Sequence, residues 1–74
     1  MSNPINQEFL DTYFRLIEFV QTNPNVSVIV EVHHILPRSM GGTDETSNLI
    51  ALTPKQHYEA HYLLWKAYRN PQMT

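Results

Sequence analysis

The sequence contains no cysteine among its 74 residues. This absence excludes disulfide bonds, thiol nucleophiles and thiolate zinc sites, so only nitrogen and oxygen ligands remain for a metal ion. No apolar stretch approaches the roughly 20 residues needed to cross a bilayer. The first residues, Met1 to Pro4, also lack the basic and apolar segments of a secretory signal peptide. We therefore expect a single soluble, cytoplasmic domain with no membrane partner.

Basic residues are also scarce. Five lysines and arginines stand against seven aspartates and glutamates, which gives a formal net charge of −2. The deficit lies in residues 1–32, where one arginine and four carboxylates give −3, whereas residues 33–74 carry +1. Domains that bind nucleic acid are usually basic, so the overall charge argues against that class. A divalent cation bound in the second segment would raise its charge to +3.

Hydrophobic spacing predicts an amphipathic helix at the start of the chain. It should run from Pro4 to about Thr22, with Asn3 as its cap, and Pro24 cannot continue it. Its apolar side contains Ile5, Phe9, Leu10, Tyr13, Phe14, Ile17 and Val20. This spacing is typical of a helix that covers a hydrophobic core.

Two strands and a second helix are predicted after this helix. The β-branched run at residues 26–32 predicts a strand, and residues 49–52 predict a returning strand after a long loop with proline and glycine. Thr53-Pro54-Lys55-Gln56 matches a capping box, so a helix should follow and end near Tyr68 or Arg69. The order helix, strand, loop, strand, helix indicates a small α+β domain.

All four histidines fall into two groups. His33 and His34 are adjacent at a strand end, and His57 and His61 lie four residues apart on one helix face. Three imidazoles with an open fourth position are typical of a catalytic metal site, although such pairs also occur without metal. Adjacent strand residues point to opposite faces, so only one of the first two can face the helix. The other imidazole would be free to act as a general base near neutral pH.

Four segments of the sequence, taken in order, resemble the motif of HNH nucleases. Its parts are Glu31 to Pro37, Gly41-Gly42, Ser47 to Pro54 and His57-x3-His61. The spacing is His34-x13-Asn48-x8-His57-x3-His61. It is similar to the DNase domains of colicin-type toxins, and more similar still to short HNH modules of phage homing endonucleases. The resemblance covers about residues 31–65, and it implies a ββα-metal core at 26–69 after an N-terminal helix and turn at 1–25.

The resemblance also implies roles for individual residues. By position, His33, His57 and His61 would hold one divalent ion, and His34 would be the general base. Asn48, the second residue of the catalytic set, would tie the long loop to the strands and help to orient the base, with an ordinary turn residue as the alternative. An all-histidine set favours binding of Zn²⁺ or Ni²⁺, while Mg²⁺ or Mn²⁺ can support turnover. The implied reaction is hydrolysis of a DNA phosphodiester to 3′-hydroxyl and 5′-phosphate ends.

Three charged residues are further candidates. Arg38 can hold a phosphate through its planar guanidinium, and Lys55 lies in the first turn of the second helix, where anions are favoured. A solvated surface charge is the alternative for both. Glu31 precedes His33 by two residues on the same strand face. It is therefore a candidate partner for a histidine or an arginine, with a solvent-facing position as the alternative.

The aromatic residues of the second helix have two possible uses. They can stack on bases, and the set consists of Tyr58, Tyr62, Trp65 and Tyr68. For Trp65, helical spacing favours the second use, which is packing against the N-terminal helix. Few basic residues mean few contacts to base edges, so we expect the 74 residues to bind DNA with little sequence preference. Stronger targeting would require a homodimer or a separate DNA-recognition partner.

The leading hypothesis is therefore a metal-dependent DNA endonuclease or nicking enzyme of a phage or mobile element, acting in the bacterial cytoplasm. A non-catalytic, zinc-stapled module that binds DNA or a protein is the first alternative, favoured by the small size and the weak positive charge. The presence of His34 argues against it, because a structural site needs no free imidazole. A metal-free helical adaptor, with its histidines in core or surface positions, is the second alternative.

Overall fold

The computed structural model of the chain describes residues 5–26 and 28–69. Its helices and strands are α1 (Gln7–Thr22), β1 (Glu31–His34), β2 (Leu49–Leu52) and α2 (Pro54–Tyr68). Two short 3₁₀ turns, Arg38–Met40 and Thr46–Asn48, lie in the connection between the strands. This order confirms the predicted α+β class, with a ββα unit after an N-terminal helix. No helix in the described ranges is long and apolar enough to cross a membrane.

Helix α1 begins three residues later than the predicted start at Pro4. Asn6 is the observed N-cap, because its side-chain oxygen accepts a hydrogen bond from the backbone N–H of Phe9 at 3.4 Å. Asn3, the predicted cap, and Pro4 lie outside the described residues. The predicted end of the helix at Thr22 is confirmed.

Strand β1 is shorter than predicted and lies further along the chain. The predicted bounds, residues 26–32, were wrong: among the described residues, Glu31–His34 form the strand and pair with β2, antiparallel and with Glu31 opposite Leu52. Strand β2 cannot continue to face the residues before Glu31, since Thr53 already caps α2. The apolar side chains described in that stretch are therefore exposed instead of lying in the sheet.

The two helices lie antiparallel and are tied together at both ends. The predicted capping box is present: Thr53 Oγ1 accepts from the Gln56 N–H at 3.1 Å, and Gln56 Oε1 accepts from the Thr53 N–H at 3.0 Å. The Asn25 side-chain amide donates to the same Gln56 oxygen at 2.8 Å. At the other end, the Asn6 N–H donates to the Ala67 carbonyl at 2.8 Å. The start of α2 is thereby fixed next to the sheet.

The hydrophobic core lies between α1, β2 and α2. Its buried cluster consists of Tyr13, Ile17, Val20, Leu52, Ala60 and Leu64. Two residues predicted to lie on the core face of α1, Ile5 and Phe14, are about half exposed. Trp65, which was predicted to pack against α1, is 37% exposed and lies outside the buried cluster, to which α2 contributes Ala60 and Leu64. The indole is therefore partly exposed at the surface.

Candidate metal centre and active site

Three histidines from two elements meet beside the core. His33 comes from β1, and His57 and His61 come from α2; each offers one ring nitrogen, and these atoms lie within 4.8 Å of one another. Alternation along β1 turns His33 inward, where it is only 3% exposed, and turns His34 to the other face. The structure thus brings together the three residues predicted to bind metal.

A buried tyrosine of α1 holds His33 in place. The Tyr13 hydroxyl donates to the Ile35 carbonyl at 2.7 Å and lies 2.8 Å from His33 Nε2. Because the hydroxyl proton is used on Ile35, His33 donates through Nε2 and keeps the lone pair on Nδ1 for a metal ion. Burial, with a contribution from Tyr68, raises the pKa of Tyr13, which keeps the phenol protonated.

The environment also keeps His33 neutral. Burial is the main cause that lowers its pKa to about 4, and the three neighbouring imidazoles add to the effect. Metal ligation requires the unprotonated imidazole, so at pH 7 this ligand carries no proton that a metal must displace.

His57 Nε2 and His61 Nε2 lie 3.0 Å apart. Two nitrogens on one tetrahedral zinc ion are about 3.3 Å apart, so this pair fits a divalent ion, and the third nitrogen, from His33, lies within 4.8 Å of both.

A carboxylate orients the second imidazole. His57 donates from Nδ1 to Glu31 Oε1 at 2.8 Å, which leaves Nε2 turned toward the cluster. Such pairing with carboxylates is typical of metal-binding histidines, because it fixes the tautomer and the ring orientation. The Glu31 side chain is 51% exposed, so its main effect is orientation and not a buried ion pair. Of the two partners predicted for Glu31, the structure places it against a histidine.

His34 faces a carboxylate in the long loop. Its Nε2 donates to Asp44 Oδ1 at 2.7 Å, and this bond, aided by the charge of Arg38, lowers the pKa of Asp44. A neutral His34 that donates through Nε2 keeps a lone pair on Nδ1, where it can accept a proton. His34, the three clustered histidines and Arg38 line one open cavity of about 290 Å³. The potential metal ligands and a potential general base therefore line the same cavity.

Asn48 fastens the loop that carries these groups. Its Oδ1 accepts from the Leu36 N–H at 2.8 Å, and its Nδ2 donates to the carbonyls of Leu36 at 3.0 Å and Thr43 at 2.8 Å. Gly42 is needed at the same closure, because a Cβ there would collide with the Leu36 carbonyl. These contacts agree with the tying role that the resemblance implies for Asn48, and favour it over an ordinary turn residue.

The two predicted phosphate-binding residues differ in their position. Arg38 begins the first 3₁₀ turn and lines the cavity that contains the histidines. Lys55 is exposed in the first turn of α2 and is absent from the described residues that line this cavity. The structure therefore places Arg38 at the site and Lys55 outside the lining of the cavity.

A comparison with known protein families identifies the family of the chain. A family model described as HNH endonuclease matches residues 20–62, which is more than half of the sequence. The chain belongs to the HNH endonuclease family. The matched range includes both strands, the long loop and the first part of α2, and hence all four histidines.

Several relatives of this HNH chain are phage proteins. It is 45% identical over 70 residues to the probable mobile endonuclease B of Enterobacteria phage T4, covering 89% of this chain and 26% of that protein. The probable mobile endonuclease E of the same phage is 45% identical over 56 residues, covering 76% and 40%. The type IV methyl-directed restriction enzyme EcoKMcrA of Escherichia coli strain K12 is 54% identical over 33 residues, covering 45% and 12%. The chain thus spans about a quarter of mobile endonuclease B. No solved structure matches it.

Two contacts of the HNH site do not follow from the motif. The first is the contact of Tyr13 with His33, because helical spacing predicts only that Tyr13 lies in the core. A buried tyrosine hydroxyl usually needs a hydrogen-bond partner, and this need is the one sequence signal for such a contact. Asp44 lies in the loop ten residues from His34. Sequence spacing contains no signal for that contact, because it depends on how the loop folds back.

Replacing Tyr13 with phenylalanine should weaken metal binding. The substitution removes the hydroxyl that contacts His33 Nε2 and leaves the Ile35 carbonyl without its donor. Loss of such an outer contact typically lowers metal affinity by about 10–100-fold. Competition with a chromophoric chelator measures the change, and Tyr58→Phe, at an exposed position, is the matched control. Equal affinity in the wild type and Tyr13→Phe would contradict this role.

Proposed function

We propose that this HNH chain is a metal-dependent DNA endonuclease that hydrolyses phosphodiester bonds, as a nicking enzyme or a double-strand cutter. One observation carries the proposal: three imidazoles that can share an ion line the same cavity as a fourth imidazole with a different partner. The family and the phage relatives named as probable mobile endonucleases support it. The same relatives favour action on DNA in the cytoplasm of a bacterial host.

In this proposal His33, His57 and His61 hold one divalent ion. When bound, the ion stabilises the negative charge that develops on the scissile phosphate and on the leaving oxygen. Zn²⁺ or Ni²⁺ suits three imidazoles best for binding, and Mg²⁺ or Mn²⁺ are further candidates for turnover. Within residues 5–26 and 28–69, no other group of three potential ligands lies close enough to hold a second ion.

The chain itself supplies the proton transfer and the substrate contacts. His34 accepts a proton from the attacking water at Nδ1, while Asp44 fixes its tautomer by accepting from Nε2. Asn48 holds the loop closed, so that Asp44 stays within hydrogen-bond distance of His34. Arg38 approaches a phosphate oxygen from the rim of the cavity.

Plasmid nicking with a series of divalent ions tests the proposal. Supercoiled DNA should become nicked in the presence of at least one ion, and excess chelator should stop the reaction. Linear product at early times would indicate cutting of both strands in one encounter. No conversion with Zn²⁺, Ni²⁺, Mg²⁺ or Mn²⁺, under conditions in which the protein is folded and metal-bound, would instead favour a zinc-stapled binding module.

Replacing Arg38 with glutamine should weaken productive binding of DNA. A charge-assisted hydrogen bond contributes roughly 1.5–3 kcal/mol, and Arg38 is exposed, so we expect the lower end, a rise of about tenfold in KM. Arg15→Gln removes the same charge from α1, where Arg15 lines a separate groove, and is the matched control. If both variants raise KM equally, the effect is one of net charge and not of a phosphate contact.

A further inference from the structure

Helix α2 carries an aromatic surface that neither the core nor the histidine cluster uses. Tyr58, Tyr62 and Trp65 are 72%, 45% and 37% exposed. At 100° per residue these three positions fall within about 60° of one another on the helix. Together with His61 they line a shallow, mostly apolar groove of about 210 Å³, here called the aromatic groove.

The aromatic groove is continuous with the candidate active site. His61 lines both the histidine cavity and the aromatic groove, so the two sites meet at one side chain. Tyr62 follows His61 directly in the sequence, and Tyr58 follows His57. A phosphate held at the histidines would therefore lie next to the aromatic groove.

A lysine gives this groove a positive edge. The Lys66 ammonium lies 5.3 Å from the Trp65 ring centroid, 5.9 Å from that of Tyr62 and 5.7 Å from that of Phe9 on α1. A purely apolar partner would have to desolvate this charge without pairing it, and the same face of a second copy would add a second ammonium of like charge. A polyanion with flat apolar rings suits both features of the surface.

We propose that the aromatic groove stacks an unpaired nucleobase beside the scissile phosphate, so that the chain prefers single-stranded or locally unpaired DNA. The placement of the phosphate rests on the proposed function. Bases inside a duplex are already stacked on both faces, so aromatic side chains on a helix can reach only a base that has left the stack. Stacking is tolerant of sequence, because every base has an aromatic face.

Binding of two short oligonucleotides tests the proposal. One is an oligothymidylate; the other has the same length and phosphates but no bases. The His34→Ala protein with one equivalent of Zn²⁺ is used, so that binding is measured without cleavage. We expect the oligothymidylate to bind at least about fivefold more tightly. It should also quench the fluorescence of Trp65, the only tryptophan. Equal affinities for the two probes would overturn the proposal.

Variants locate the contact within the aromatic groove. Tyr62→Leu should lower the preference for the probe with bases by about fivefold or more, while Tyr62→Phe retains the ring and the preference. Phe19→Leu, at an exposed position of α1, is the matched control, and circular dichroism verifies the fold of each variant. An unchanged preference in Tyr62→Leu would overturn the proposal. Concentration-dependent dimers that bury Trp65 and exclude the probe would do the same.

This test does not depend on nuclease activity. Plasmid nicking by the wild type decides the proposed function, whereas the comparison of the two probes measures only stacking in a protein that lacks His34. If the wild type fails to nick DNA but the probe with bases is preferred, the aromatic groove binds bases in a non-catalytic module. If the wild type nicks DNA and both probes bind equally, the stacking proposal alone is wrong.

Discussion

Replacing His34 with alanine is expected to lower the rate of plasmid nicking by about 10²–10⁴-fold, the usual contribution of a general base. Affinity for the divalent ion should remain nearly unchanged. His34 lies on the opposite side of β1 from His33, and its hydrogen bond goes to Asp44 and not to the cluster. Single-turnover nicking and competition with a chromophoric chelator measure the two quantities separately.

Replacing His61 with alanine, in contrast to His34→Ala, should impair nicking and metal affinity together. His61 contributes one of three ring nitrogens that lie within 4.8 Å of one another. Exposed Phe19→Leu should leave both quantities at wild-type values. If His34→Ala lost the ion as completely as His61→Ala, the assignment of base and ligand would be wrong.

The elements with local signals were predicted from the sequence. The capping box at Thr53-Pro54-Lys55-Gln56 contains its own hydrogen-bond partners, so the start of α2 follows from four residues. Strand β1 lacks such a signal, because a strand needs a partner. The β-branched run at 26–32 has high strand propensity, but the sheet begins only at Glu31, where β2 supplies a partner in Leu52.

The candidate site divides in the same way. Spacing of four residues places His57 and His61 on one face, and strand alternation separates His33 from His34, so these relations could be predicted. Glu31 was also predicted as a partner for a histidine, but the contacts of Tyr13 with His33 and of Asp44 with His34 could not be predicted, since they depend on how distant segments pack. Tyr13 contacts His33 across twenty residues, and both lie in segments whose packing is decided by the tertiary fold.

The size of the core suggests how strongly the fold depends on a metal ion. Of the described residues, only seven hydrophobic side chains are buried, and two of these are alanines. Domains of this size bury a modest share of their surface and often rely on an additional cross-link. An ion held by His33, His57 and His61 would cross-link β1 and α2 in a chain that has no cysteine and therefore no disulfide.

Removal of the ion should therefore lower the melting temperature markedly. An ion that binds only the folded state, present at 100 to 1,000 times its Kd, contributes roughly 3–4 kcal/mol. In a domain of this size each kcal/mol shifts the melting temperature by about 4–8 °C, so excess chelator should lower it by on the order of 10–30 °C. Thermal unfolding followed by circular dichroism, with and without chelator, measures the shift.

Two variants show whether the shift arises at the histidine cluster. His57→Ala should melt at a lower temperature than the wild type and respond little to chelator, because it lacks one of the three ligands. His34→Ala should retain the full response, since its imidazole faces Asp44 instead. Equal melting temperatures of the wild-type protein with and without chelator would show that the cluster holds no ion tightly. In that case Tyr13 would still orient His33, and Glu31 would still orient His57, without a contribution from a metal ion.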